Sequence, residues 1–326
     1  MLIEIGAPAC LLLGLVKQGN KRCLLGLTLQ HPPVHLFAES GPELRLTGPR
    51  ADKGYEQAVR LAGAGSLTQP AAIEIELAIP ALMGLGSDVM LGLSVGRALA
   101  WVNGSLLDDS QSLARDLGLR QTDRLALEGF EQGGLLLVDL EASLDTPPLR
   151  RKEIAHPEKD AWAFVFYFPH PPDNVPDSFE ADRLETLLQA GPHLSEADSN
   201  KGLEALWQAV EEDDFEAFGL SLMAIQAMNH SALEKERIPV ALTQEERAIC
   251  DLMQAHGAVV WGRTLTGYAL YGLVRGAKAS IDIRTQLRKH VGYFGGTIMA
   301  TITDNRGARH IIRDETLATK FPRPYV

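Results

Sequence analysis

The sequence predicts an α+β protein built in two halves. Strand-like apolar runs and helical stretches are mixed without strict strand–helix–strand alternation, which argues for α+β layers rather than a doubly wound sheet. The composition breaks at "DTPPLRRKEIAHPEK", a stretch rich in proline and charge. The 326 residues, 45% of them hydrophobic, are enough for a substantial core and for two domains. The break places one domain over residues 1–155 and the other over 156–326.

The chain starts as paired strands. "APACLLLGLV" and "CLLGLTLQ" are separated by "KQGNK", whose Gly19 and Asn20 suit a hairpin turn. "YEQAVRLAGAG" reads as a short helix with Tyr55, Val59 and Ala62 on one side. In "AAIEIELAI", Ile73, Ile75, Leu77 and Ile79 face one way with Glu74 and Glu76 opposite, the pattern of a half-buried strand. A helix is expected from about Ser87 to Val102 and a second near "SQSLARDLG". "RLALEGFEQGG" then leads into the strand "GLLLVDL".

Beyond the break, "AWAFVFYFP" is a long buried strand and "HPPDNVPDS" an exposed turn or lid. Helix follows over about 179–256. Within it Phe215, Phe218, Leu222, Ile225 and Met228 recur at helical spacing, as a core-facing stripe does. The end reads strand, strand, helix, strand through "GAVVWGRTLTGYALYGLV", "ASIDIRTQLRKHV" and "GGTIMATIT".

Acidic residues number 42 against 31 basic, a formal charge of -11. Such a chain has no general field to attract nucleic acid or an anionic membrane. Local backbone donors and a few arginines still suffice for a phosphorylated small molecule. Cys10, Cys23 and Cys250 are odd in number and scattered, with no zinc-ligand spacing, which fits a reduced, cytoplasmic chain without a zinc site. "MLIEIGAPAC" lacks a basic leader and carries Glu4, so it is a poor signal peptide. No uncharged apolar run reaches the roughly 18 residues that a membrane span requires.

The stretch "AIPALMGLGSDVMLGLSVGRALA" carries the candidate chemistry. A strand ends in proline, a glycine-punctuated loop follows, and a helix begins. Gly84 and Gly86 permit a tight turn and close approach of a ligand. Gly84, Leu85, Gly86, Ser87 and Asp88 are the candidate phosphate-binding residues, because free N–H groups and the positive dipole end at a helix start favour an anion. No lysine follows the glycines, so this is not a Walker A loop. The alternative is a plain turn capped by Ser87 or Asp88.

The same stretch resembles the second motif of the GHMP kinase superfamily, and most of all its β-ribofuranosylaminobenzene 5'-phosphate synthase branch. "FEQGG" (Phe130 to Gly134), "DFEAFG" followed by "IQAMN", "WG" (Trp261, Gly262) and "NRGAR" (Asn305 to Arg309) resemble further family segments in the same order. The resemblance implies a ribosomal S5 domain 2-like N-terminal domain, a ferredoxin-like C-terminal domain and a homodimer. It also implies a reaction: 5-phosphoribosyl diphosphate joins 4-aminobenzoate or a related aromatic acid, with loss of pyrophosphate and carbon dioxide, in tetrahydromethanopterin biosynthesis. The phosphate-bearing ligand, 5-phosphoribosyl diphosphate or ATP, would sit on the loop with Mg²⁺.

Several positions depart from the family pattern. Cys10, Leu12, Cys23, Leu24 and the Ala258–Val260 run are apolar where the family carries polar or glycine residues. Ala126 stands where superfamily kinases carry a catalytic aspartate, and Asp123 is the nearest acid before it. Glu131 is the one acid kept inside a family motif, either positioning a metal or amine or lying in solvent at a helix end. Arg263, where the family has proline, is read as a surface residue or a new anion contact. His31, His35, His170 and His193 are read as surface residues. Asp88, where the family has a small residue, either caps its own helix and competes with phosphate or holds Mg²⁺. Three functions follow: a synthase, a non-catalytic binding or partner subunit, and a small-molecule kinase.

Overall fold

A computed structural model describes residues 2–63, 69–104 and 110–313 of the protein. Two long strands, β1 (Leu2–Gln18) and β2 (Lys21–Ser40), turn at Gly19–Asn20 and pair antiparallel from Ile3↔Ala38 to Gln18↔Lys21. This ribbon is the spine of the first sheet. After β3 (Arg45–Thr47) and α1 (Ala51–Gly63), β4 (Ala71–Leu77) pairs with residues 35–40 of β2. Then come α2 (Ser87–Val102), α3 (Ser110–Asp116) and α4 (Arg124–Gln132). β5 (Leu135–Asp139) takes residues 23–27 of β2, and β6 (Arg150–Lys152) pairs with β5. Part of the proline- and charge-rich break is therefore a strand of the first sheet.

Helix α2 is buried on nearly every side, and a helix without a polar face belongs in the middle of a fold. It lies against β1, β2, α1 and α4. The inward face of α1 differs from the expected one: Gly54, Ala58 and Leu61 are buried, while Tyr55 and Val59 are about half exposed. Gly54 explains the rotation, because a Cβ there would lie 2.8 Å from Leu46 and 3.3 Å from Ile75. The helix is drawn in along its glycine. Ala64 and Gly65, the end of the expected helix, lie outside the described residues. Leu77 is exposed too, at the end of β4, whereas Ile73 and Ile75 are buried.

The second half begins with β7 (Trp162–Phe168), followed by α5 (Phe179–Gln189), α6 (Glu196–Glu211), α7 (Phe215–Lys235) and α8 (Gln244–Ala255). The expected helical stretch is thus four successive helices. The side chains of Ser195, Asp214 and Thr243 cap the starts of α6, α7 and α8 by accepting backbone N–H bonds. β8 (Val260–Arg263), β9 (Leu270–Arg275), α9 (Gly276–Val291) and β10 (Thr297–Ile302) follow. Their sheet has the order β10-β7-β9-β8, antiparallel throughout. With α8 before β8 and α9 before β10, this is a ferredoxin-like sheet into which α5 to α7 are inserted.

β7 reads as an unbroken apolar run because both its faces are covered. Trp162, Phe164, Phe166 and Phe168 belong to the main core, whereas Ala163, Val165 and Tyr167 pack with Ile249 and Met253 of α8 and Ile283 and Leu287 of α9. On α7, Phe215, Phe218, Leu222 and Ile225 are buried as expected, with Met228 at the core margin. The chain then returns to the first sheet. β11 (Arg309–Arg313) pairs antiparallel with β1, and Asp304 exchanges backbone bonds with Thr28 and Gly134. Among the described residues no helix is long and apolar enough to cross a membrane.

The glycine loop before α2 is held between the halves. On one side Cys10 N donates to Leu85 O at 3.0 Å. On the other, Tyr268 N donates to Leu82 O at 2.8 Å and Thr264 Oγ1 to Met83 O at 2.9 Å. Contact with the β8–β9 connection is so close that a Cβ on Gly267 would lie 2.1 Å from Gly84 N. Gly267→Ala should therefore push the halves apart. We expect a loss of about 1–3 kcal/mol, the usual cost of overpacking, measured as a lowered urea midpoint. An unchanged midpoint would show that the loop and the connection yield independently.

Candidate functional site

Leu82, Gly84 and Gly86 all adopt left-handed backbone, with φ of 67°, 76° and 68°. For Gly84 this conformation is joined by crowding: a Cβ would sit 2.6 Å from Thr264 Oγ1. Gly86 is the residue just before α2, and no side chain caps the helix there. Its first turn therefore keeps the donors and the dipole that favour an anion.

Asp88 does not cap its own helix. Its Oδ1 accepts from Arg50 Nη2 at 2.5 Å, in a pair whose side chains are 39% and 19% exposed. Arg50 precedes α1 with φ 58°, and this turn aims its side chain across to α2. The guanidinium draws the carboxylate sideways. The other terminal nitrogen, Arg50 Nη1, is buried and makes no hydrogen bond among the described residues.

The loop's amide instead meets a carboxylate from the second half. Gly84 N–H donates to Glu180 Oε1, from the first turn of α5. Removal from water pushes the Glu180 carboxyl up to about 7. The Gly84 amide pulls it down, Asp88 raises it further, and Arg50 and the Ser87 hydroxyl oppose that rise. Glu180 thus sits where the sequence places a phosphate.

A cavity of about 150 Å³ opens beside the loop. Its polar side carries Gly84, Asp88, Arg120, Asp123, Asp177 and Glu180. Its floor is apolar, made by Cys10, Leu12, Leu24, Val89, Leu125 and Ala126. Ala126 faces the loop, since a Cβ on Gly86 would lie 3.7 Å from its own. Asp123 lines the same cavity and accepts from Arg120 N at 2.9 Å. Burial raises its carboxyl, and that amide and the Arg120 charge counter the rise.

The candidate loop residues Gly84, Gly86 and Asp88 line the cavity. Ser87 is buried at the head of α2, and Leu85 is buried in the core. Glu131 is not part of the lining. At the end of α4 its Oε1 accepts from Arg97 Nη2 at 2.7 Å and from Ser110, so it neutralises a guanidinium buried inside α2. Arg263 is no surface residue: its side chain is 16% exposed and pairs with Glu246 at 3.1 Å. His35 lies within β2, held by Glu76 and Glu4, and His193 pairs with Glu236. Sequence reading passed over Arg50 and Glu180. Glu180 is one acid in an ordinary first helical turn, and only the tertiary fold brings it to the loop.

Because the folded chain keeps the Glu180 proton to a higher pH than the unfolded chain, folded protein binds more protons between about 4.5 and about 7. Stability should then fall as pH rises through that window, by at most about 3 kcal/mol, and level off above it. Glu180→Gln should remove this slope in urea titrations across pH. A slope unchanged in the variant would assign it to other groups.

No protein-family profile matches the chain. Among curated proteins, it is 25% identical over 316 residues to β-ribofuranosylphenol 5'-phosphate synthase of Methanothermobacter thermautotrophicus, spanning 86% of this chain and 94% of that protein. Among solved structures, mevalonate diphosphate decarboxylase from Staphylococcus aureus superposes with a TM-score of 0.65 at 16% identity, over 96% of this chain and 99% of the other. Homoserine kinase from Cytophaga hutchinsonii superposes with a TM-score of 0.61 at 15% identity, over 95% and 97%. The chain carries the GHMP-type two-domain fold and, within it, resembles the β-ribofuranosyl-aromatic 5'-phosphate synthases.

Proposed function

We propose that the cavity at the head of α2 binds 5-phosphoribosyl diphosphate beside an aromatic acid, and that the chain is a phosphoribosyl-transferring synthase of the kind it resembles. The observation that carries this reading is the two-sided lining: at one end the glycine loop and Arg120, among the carboxyls of Asp88, Asp123, Asp177 and Glu180, and at the other an apolar floor. The uncapped start of α2, with Arg50 and Arg120, would take the diphosphate. Its departure as pyrophosphate leaves growing negative charge on the leaving oxygen, where fixed backbone donors are most effective. Leu12, Leu24 and Leu125 would seat the aromatic ring. The curated relative is named for a phenol, so the aromatic partner is taken as a benzoic acid with a hydroxyl or amino group. The homodimer and the domain boundary near residue 155 belong to the same proposal.

Among the described residues no group of three metal-binding side chains is assembled. Mg²⁺ is therefore proposed to arrive on the diphosphate, which suits an ion commonly held by substrate phosphates and one or two carboxylates. Asp88 is the carboxylate at the loop to meet it. The metal would neutralise diphosphate charge.

A second reading, a binding subunit without turnover, is supported by Glu180 on the Gly84 amide and by the apolar residues where the family is polar. A kinase reading would have to use Asp123, since Ala126 cannot act as a base.

Incubation with 5-phosphoribosyl diphosphate, Mg²⁺ and carboxyl-labelled 4-hydroxybenzoate or 4-aminobenzoate should release labelled carbon dioxide and pyrophosphate in equal amounts. Glu180→Ala should bind 5-phosphoribosyl diphosphate roughly tenfold more tightly by calorimetry, equal to about 1.4 kcal/mol. Binding without release would favour the binding subunit. Steady ADP formation from ATP and a small alcohol would favour the kinase.

A further inference from the structure

A second cavity, of about 250 Å³, lies behind the β8–β9 connection, away from the loop of α2. The two cavities share that connection as a wall: Thr266 lines the first, Thr264 and Leu265 the second. They also share α5, which turns Glu180 and Leu184 to the first and Arg183 to the second. The second cavity is walled by Trp261, Met223, Leu233, Val240, Leu242 and Leu265. Its polar groups are Arg183, Arg263 and His230.

The charges here do not balance. Arg263 is committed to Glu246, whose two carboxylate oxygens accept from its Nη1 at 3.1 and 3.3 Å. Glu246 is itself fixed as the capping carboxylate of α8, accepting from Thr243 N at 2.8 Å. Arg183 is half-buried and makes no ion pair among the described residues. Its one hydrogen bond to protein is a long one, 3.5 Å from Nε to Leu265 O. Among the described residues the terminal nitrogens of that planar fork have no protein acceptor, and the guanidinium lies over the Phe179 ring, 5.6 Å from its centroid. His230 lines the same cavity, where burial and the Arg263 charge hold its imidazole below the usual histidine range and Glu234 opposes them. A half-buried guanidinium with its fork free is matched in geometry by a carboxylate, which accepts two parallel N–H bonds. The remaining wall is apolar and includes an indole, so the rest of the occupant is apolar too.

We propose that this cavity is a binding site for a small apolar carboxylate, an aromatic or branched aliphatic acid, with Arg183 holding the carboxylate and Trp261 flanking the apolar body. The site does not depend on the reading of the first cavity.

The test follows the Trp261 indole N–H resonance, assigned through Trp261→Phe, while benzoate, phenylacetate and isovalerate are titrated into the full chain. At least one acid should shift the resonance saturably, and benzamide should need at least tenfold higher concentration than benzoate. Arg183→Met and Arg183→Gln, each checked for an unchanged folded spectrum, should weaken binding at least tenfold. Ala126→Phe, which fills the first cavity, should leave the shift in place and so separate this site from an aromatic-acid site beside the loop. Saturable binding that survives both Arg183 variants, or that Ala126→Phe abolishes, would overturn the proposal. So would equal binding of benzamide and benzoate, or an indole unmoved by all three acids at millimolar concentration. The benzamide comparison, made on the unaltered chain, decides the matter if the Arg183 variants do not fold.

Discussion

One hydrogen bond, from the Gly84 amide to the Glu180 carboxylate, ties the chemistry of this protein to its architecture. The donor belongs to a loop sewn on one side to β1 and on the other to the β8–β9 connection. The acceptor belongs to a helix inserted after the first strand of the second sheet. Two halves must therefore be assembled before the loop has its present partner. A carboxylate there takes the Gly84 amide, one donor that a phosphate at the loop would use, and brings its own charge to the head of α2. Whatever anion this protein takes at the head of α2 has to displace Glu180 or accept its charge as a neighbour.

The Arg50–Asp88 pair bears on the same balance. An aspartate beside a phosphate-type loop is opposed by a guanidinium at 2.5 Å, so the charge that would repel an anion is largely offset. The buried Nη1 of Arg50, unpartnered among the described residues, leaves that guanidinium with capacity to spare. At α4 a similar economy operates without a ligand. Glu131 and Ser110 both accept from one terminal nitrogen of Arg97, and the Glu131 carboxylate offsets the charge that the central helix buries.

Much of the fold was legible because local patterns and tertiary environment agree. The limits of α2, the double-sided β7 and the strand–strand–helix–strand ending all follow from apolar periodicity and glycine placement. The inward face of α1 was not, because Gly54 has no hydrophobicity to signal that its side is the close one. The loop was legible as a tight glycine turn ahead of a helix. Its partners were not. Arg50 reaches Asp88 from 38 positions away, and Glu180 reaches Gly84 from 96 away. Contacts of that kind leave no periodic trace. Arg263 looked like a surface residue because charge alone says nothing about burial; its partner Glu246 sits on a different element.

Helix α5 stands between the two cavities, with Glu180 toward one and Arg183 toward the other. Its placement decides how available the loop amide is. The central claim is that Glu180 and an incoming phosphate compete for that amide, and the Gly84 N–H resonance reports on it directly. In the absence of ligand it should titrate with a midpoint near that of the buried carboxyl, about 7. Saturation with 5-phosphoribosyl diphosphate and Mg²⁺ should shift the resonance again and abolish that titration. A Gly84 resonance that titrates in the ordinary carboxylate range, or that ignores 5-phosphoribosyl diphosphate, would contradict the account.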